Sequence, residues 1–173
     1  MARRVFVDTG PIVALLDRRD SHHQWAKDEI AKLQEPLLTC EAVLSEVFFL
    51  LSRVRRGNLT LIALLRDELV QIAADFSFRD HWAEILDLVE HYSTVPMSLA
   101  DACLVRLSEL ERDCLVFTTD RDFLTYKRNR RQPIPRHRQP FQWYLKSWKC
   151  GRAGRDAGRF RRAHYPRRFH AAG

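Results

Sequence analysis

Apolar positions in this chain follow two rhythms, short unbroken runs and longer stretches with helical spacing, and the two alternate. Val5-Phe6-Val7 is an unbroken run, the signature of a strand buried on both faces. Asp8-Thr9-Gly10 interrupts it, and Pro11 suits the first turn of a helix running through about Leu16. Asp20-Ser21 offers a cap for a second helix from near His22, with Trp25, Ala26, Ile30 and Leu33 on one face, ending before Pro36. Residues 36–40 read as the next strand. A long helix is predicted from Glu41 to about Arg55 with Gly57-Asn58 as its stop, and a further helix over Leu59–Ile72.

The second half repeats the alternation. Phe76–Phe78 is a candidate strand, and His81–His91 has Trp82, Ile85, Leu86 and Val89 at core spacing. Ser98 caps a helix reaching about Arg112, and Cys114–Thr118 is the clearest strand of the chain. Strands separated by helices predict an α/β fold with a parallel sheet covered on both faces. No internal repeat is visible.

Composition changes this picture mainly through the distribution of charge. The net charge of +7 divides unevenly. Residues 1–126 hold 14 Lys and Arg against 21 Asp and Glu, whereas residues 127–173 hold 15 against one. The expected organisation is therefore a domain over residues 1–135 and a basic C-terminal extension over 136–173, where Pro and Gly break up any long helix. In that extension Arg alternates with Phe141, Trp143, Tyr144, Trp148, Phe160, Tyr165 and Phe169, a mixture suited to phosphates and stacked bases. A non-catalytic nucleic-acid binder working through this tail is the alternative reading. No run of about 18 apolar residues occurs, and the start lacks the apolar core of a signal peptide, so a cytoplasmic protein without a membrane partner is expected. Cys40, Cys103, Cys114 and Cys150 form no C-x-x-C pair, and the first three sit in apolar segments, as reduced core residues do.

The candidate chemistry lies in four acids. In open α/β sheets the carboxyl ends of strands face a shared crevice, and Asp8 follows the first strand as Asp120 follows the clearest one. Asp8 also reads as a turn residue leading into its helix. Glu46 has Ala42, Val43, Phe49 and Leu50 at i±3 and i±4, with no Lys or Arg to pair with it. A carboxylate on such a face either sits at the solvent margin or meets a counter-charge from elsewhere. Asp101 has the spacing of a capping box with Ser98, yet its neighbours Met97, Leu104 and Val105 are apolar. Thr119 and Asp122 are spaced as another box, which would leave Asp120 for the crevice and makes Asp122 the weaker candidate; Asp120 also reads as a helix N-terminal acid. If these acids met, they would need positive charge. Oxygen donors without a Cys or helix-spaced His set point to Mg²⁺ or Mn²⁺, and hence to phosphodiester hydrolysis through an activated water. Rossmann and P-loop glycine patterns are absent, and "DTG" occurs once and precedes a helix, unlike the paired aspartates of aspartic proteases.

The segments "VDTGPIVALLD", "LLTCEAVLSEVFFLL", "VPMSLADACLVRLSE" and "VFTTDRDFLTYKRNRRQPIP" closely resemble, in order and spacing, the four acidic signature regions of PIN-domain ribonucleases of the VapC toxin type. The resemblance spans residues 3 to about 135. It implies a three-layer α/β/α sandwich with a central parallel sheet, a divalent-metal site, RNA endonuclease activity, restraint by a cognate VapB-type antitoxin, and a homodimer. By position it assigns Asp8, Glu46, Asp101 and Asp120 as the catalytic, metal-holding acids, with Thr119 as an orienting hydroxyl; Thr9, beside Asp8 at the start of the helix, is a second supporting hydroxyl read from the residues themselves.

Overall fold

A computed structural model of the chain describes residues 3–33 and 35–137. Its centre is a five-stranded parallel sheet, β1 (Arg4–Val7), β2 (Leu37–Thr39), β3 (Val70–Ile72), β4 (Cys114–Phe117) and β7 (Arg136–His137), in the order β3-β2-β1-β4-β7. Lys127–Arg128 (β5) and Gln132–Pro133 (β6) form a separate antiparallel pair. Helices α1 (Thr9–Leu16), α2 (His23–Ile30), α3 (Glu41–Leu51), α4 (Gly57–Arg66), α5 (Trp82–His91) and α6 (Leu99–Leu110) connect the strands and flank the sheet. This is the expected α/β architecture. The chain builds outward from β1 to β2 and β3, then returns to lay β4 on the other side of β1. In open α/β sheets such a reversal is where a crevice forms at the carboxyl ends of the strands, here β1 and β4.

The run Val5-Phe6-Val7 is apolar throughout because β1 is the middle strand: Phe6 and Val7 are almost wholly buried, as strands covered on both faces must be. Val43, Val47 and Leu51 of α3 recur along one face and are fully buried. α6 is buried over most of its circumference, from Ala100 to Ser108. Cys40, Cys103 and Cys114 are buried free thiols, while Cys150 lies outside the described residues.

Several boundaries differ from expectation. Helix α3 stops at Leu51, and Gly57 starts α4 rather than ending α3. The preceding Arg56 takes the left-handed conformation (φ 61°), and a Cβ on Gly57 would press against the Leu51 carbonyl at 2.5 Å, so glycine is needed for close approach. The segment expected as one helix to Ile72 breaks at Glu68, also left-handed (φ 56°), and Val70–Ile72 pairs with β2 as an edge strand. Phe76–Phe78 is correspondingly not a strand; Phe76 is buried in the following turn. On α5 the buried positions are Ile85 and Leu88, while Trp82 and Leu86 are exposed, because the stripe that counts is the one packed on α6. Asp20 accepts from His22 N at 2.7 Å and thus shapes the turn before α2 without capping the helix itself.

The sheet also runs two residues past the expected boundary at Pro135. Ile134 is buried, Val116 N donates to Pro135 O at 2.8 Å, and β7 pairs with β4. His137 Nε2 meets Glu29 Oε2 of α2 at 2.8 Å, fastening this last strand. Residues 138–173, the rest of the basic extension, lie outside the described residues.

Electrostatics differ between the two ends of β1. At the amino end Arg4 grips Asp75 through both guanidinium nitrogens, at 2.7 and 2.9 Å, and reaches Glu111 at 3.4 Å. The hydrogen bonds and charge of Arg4 hold the Asp75 carboxyl down to about 2. At the carboxyl end acids face other acids.

Candidate active site

Asp8 follows β1 directly. It caps α1 in an extended conformation, with Oδ1 accepting from Thr9 N at 2.6 Å, so the turn reading of this residue holds alongside any chemical one. Its second oxygen, Oδ2, accepts from Thr118 Oγ1 at 2.7 Å. The register that pairs Val7 with Phe117 brings the following residues, Asp8 and Thr118, side by side. Gly10 lies inside the first turn of α1, after the Asp8 cap. It clears space, because a Cβ there would collide with Thr119 Oγ1; the loop after β4 closes directly over the first turn of α1. The order Asp-Thr-Gly-Pro thus supplies an acid, a hydroxyl, a contact surface for the second loop and a preset helical turn.

The other acids arrive from three separate elements. Glu46 projects from α3 and accepts from Thr9 Oγ1 through Oε2 at 3.0 Å, so Thr9 links the first two acids. Asp101 forms the expected capping box: Ser98 N donates to its Oδ2 at 2.9 Å and its own N–H donates to Ser98 Oγ at 3.1 Å. It is nonetheless buried and faces charge. Asp120 N donates to Thr118 Oγ1 at 2.9 Å, and Asp120 Oδ1 accepts from Asp122 N at 2.8 Å. The expected Thr119/Asp122 box is therefore replaced by a turn in which Asp120 is the acceptor. Asp122 opens the 3₁₀ turn Asp122–Leu124.

These contacts converge electrostatically. Burial pushes the Asp8 carboxyl up to about 7, the negative charges of Asp101 and Asp120 push the same way, and the Thr118 and Thr9 donors oppose. Burial likewise raises Asp101 to about 6, with Asp120 and Glu46 as the charges acting on it and Ser98 opposing. Four acids separated by up to 112 positions therefore feel one another. Among the described residues no three His, Cys, Asp or Glu side chains stand close enough to form a ready-made cation cage; the acids interact across a distance without closing on one point.

Two contributors escaped sequence reasoning. Thr118, fully buried, bridges Asp8 and the Asp120 backbone, a position assigned in advance to Thr119. Tyr126, also fully buried, places its hydroxyl 3.4 Å from Asp101 Oδ2. A hydroxyl two residues before Asp120 was a usable signal for the first; nothing local marks the second.

The family pattern of the PIN domain matches residues 5–129, a span that takes in all four acids. The chain belongs to the PIN-domain family. The three-layer α/β/α sandwich is thus the PIN fold, with β1, β4 and α6 as its innermost elements. The crystal structure of Mycobacterium tuberculosis VapC20, a sarcin-ricin loop cleaving toxin, matches with a TM-score of 0.60 at 22% identity, over 68% of this chain and 91% of that one; at this identity the likeness concerns the fold. No curated protein sequence matches the chain. In this PIN domain the acids stand at the carboxyl ends of β1 and β4 and on the faces that α3 and α6 turn toward them.

Proposed function

We propose that this PIN-domain protein is a divalent-cation-dependent endoribonuclease and the toxin component of a VapBC-type toxin–antitoxin pair. One observation carries the reading: Asp8 and Asp101 are buried carboxyls whose strongest charged influences are other acids, an arrangement that costs several kcal/mol unless a cation joins it. The donor set fits a hard cation, since every candidate atom is a carboxylate oxygen. Asp8 and Asp101 would hold Mg²⁺, with Mn²⁺ as a substitute, and Glu46 and Asp120 would complete the charge. Such an ion supplies Lewis-acid stabilisation of the phosphodiester and acidifies the attacking water.

The residues of the chain provide orientation. Thr118 fixes the rotamer of Asp8 from one side and the Thr9 N–H from the other. Thr9 Oγ1 holds Glu46 by one oxygen, and Ser98 holds Asp101 by one oxygen. Asp120, exposed at the rim, stands where substrate would enter. The test is cleavage of a single-stranded RNA by purified protein: cutting with Mg²⁺ or Mn²⁺, loss with EDTA, and recovery when the cation returns. RNA binding without cation-dependent cutting would favour the non-catalytic binder instead.

The partners follow from the same reading. A small VapB-type antitoxin presenting a basic side chain would complement the acidic crevice. Phe49 and Leu50 on α3 and Leu59 on α4 are exposed apolar side chains suited to a homodimer contact. A toxin of this kind would act in the cytoplasm; no described helix is long and apolar enough to cross a membrane. The basic extension, with 15 Lys and Arg in residues 127–173, would add affinity for RNA phosphates but no chemistry. Removing residues 140–173 is expected to leave cation-dependent cleavage in place while RNA affinity falls and its salt dependence flattens. Loss of cleavage from a folded truncated protein would refute that division of labour.

A further inference from the structure

Tyr126 is fully buried and its ring is fixed from both sides, edge-on to Tyr92 at 5.1 Å and to Phe123 at 5.3 Å. It follows the 3₁₀ turn behind Asp120 and is tied to it, its N–H donating to Asp122 O at 3.2 Å. Its hydroxyl has one proton and two acceptors, Pro96 O and Asp101 Oδ2, each at 3.4 Å. Both distances exceed that of an ordinary O–H···O bond, so each is a weak contact in the cation-free protein. A carboxylate is the stronger acceptor, because a charge-assisted bond is roughly twice as strong as a neutral one. When Asp101 is charged, the proton therefore belongs to it.

The second donor to Asp101 selects the same oxygen. Ser98 N also donates to Oδ2, so the Tyr126 hydroxyl and the Ser98 N–H fall on the same oxygen of the carboxylate, with the Ser98 side chain as a further donor to the group. We propose that Tyr126 is a positioning residue: it locks the Asp101 carboxylate through Oδ2 so that Oδ1 is presented to a divalent cation. It also couples that orientation to the loop carrying Asp120. This rests on reading Asp101 as a cation ligand. The division of oxygens is the form that outer partners of ligating carboxylates take, and removing such a partner commonly costs 10–100-fold in cation affinity or activity.

The test is Mn²⁺ titration of the full-length protein by calorimetry without RNA, on wild type, Tyr126→Phe, Tyr92→Phe and Asp101→Asn. Tyr126→Phe keeps the ring and removes the hydroxyl. It should weaken Mn²⁺ binding about 10-fold, shift the metal-free unfolding midpoint by no more than about 4 °C, and lower kcat with the KM for RNA unchanged. Tyr92→Phe removes a hydroxyl from the same aromatic cluster, one that accepts from Lys127 N, and should leave Mn²⁺ affinity intact. Unchanged Mn²⁺ affinity in Tyr126→Phe, with affinity lost in Asp101→Asn, overturns the role of Tyr126 alone. Unchanged affinity in Asp101→Asn overturns the cation-ligand reading and this inference with it. An equal loss in Tyr92→Phe, or a fall in midpoint of more than about 8 °C in Tyr126→Phe, makes the effect one of packing and also overturns it.

Discussion

Asp8→Asn is expected to abolish RNA cleavage, lowering kcat by about 10³-fold or more, which corresponds to about 4 kcal/mol of barrier, while the protein stays folded and binds RNA. The substitution preserves shape. The Asn oxygen can still accept from Thr9 N, and its amide can donate to the Thr118 hydroxyl, which turns to accept. What disappears is the charge, at the one of the four candidate acids held by protein donors on both of its oxygens and buried at the head of α1. Because that charge is unfavourably buried beside Asp101 and Asp120, the variant should unfold at the same temperature as wild type or a higher one. Cleavage assays with Mn²⁺, RNA mobility shifts and thermal melts in EDTA together check the prediction. Cleavage within a few-fold of wild type would remove Asp8 from the chemistry, and a large loss of stability would make its role structural.

The second large effect is on stability. In EDTA the unfolding temperature should rise as pH is lowered from about 8 to about 5. Folding raises Asp8 from an ordinary 3.8 to about 7 and Asp101 to about 6, so between pH about 4 and 7 the folded state binds more protons than the unfolded one. Stability then falls as pH rises through that window. Since one pKa unit is worth about 1.4 kcal/mol and the two acids share part of their interaction, the penalty at pH 8 is on the order of 4 kcal/mol. Asp75 acts in the opposite direction. Its carboxyl lies at about 2 in the folded state because of Arg4, so its contribution is present above pH about 4 and is lost as pH falls toward 2. The two effects place the stability maximum of the cation-free protein near pH 4–5. Asp8→Asn should flatten the alkaline limb, and added Mn²⁺ should raise the midpoint most at pH 8. A midpoint that is constant or increasing from pH 5 to 8 in EDTA would contradict the buried-acid account.

Some of this was legible from local pattern because the local rule and the global fold agree. Val5-Phe6-Val7 and Cys114–Phe117 are apolar without alternation because both faces of a central strand are covered. Ser98 and Asp101 announce a helix start by a bond that closes within one turn. Glu46 stands out because no Lys or Arg on its own helix is placed to pair with it; in the structure it accepts from a neutral hydroxyl of another element, Thr9, rather than meeting the expected counter-charge.

Where the reading failed, the deciding contact lay far away in sequence. Val70–Ile72 continues the apolar spacing of α4, and only its pairing with β2 makes it a strand. Thr118 and Thr119 are equivalent as neighbouring hydroxyls. The register of β4 against β1 turns the first toward Asp8 and sets the second against Gly10, since successive side chains point to opposite faces. Tyr126 is an ordinary aromatic until α6 brings Asp101 to its hydroxyl.

The order of residues by itself therefore determined most of the alternation of strands and helices, the parallel sheet and which acids are candidates, since spacing, caps and burial patterns act over a few residues. Only the tertiary structure decided which oxygen of each acid is held, which hydroxyl holds it, and how strongly the acids repel. Those depend on strand register and on the packing of helices more than 30 residues apart, across which hydrogen bonds and Coulomb forces act but sequence spacing carries no signal.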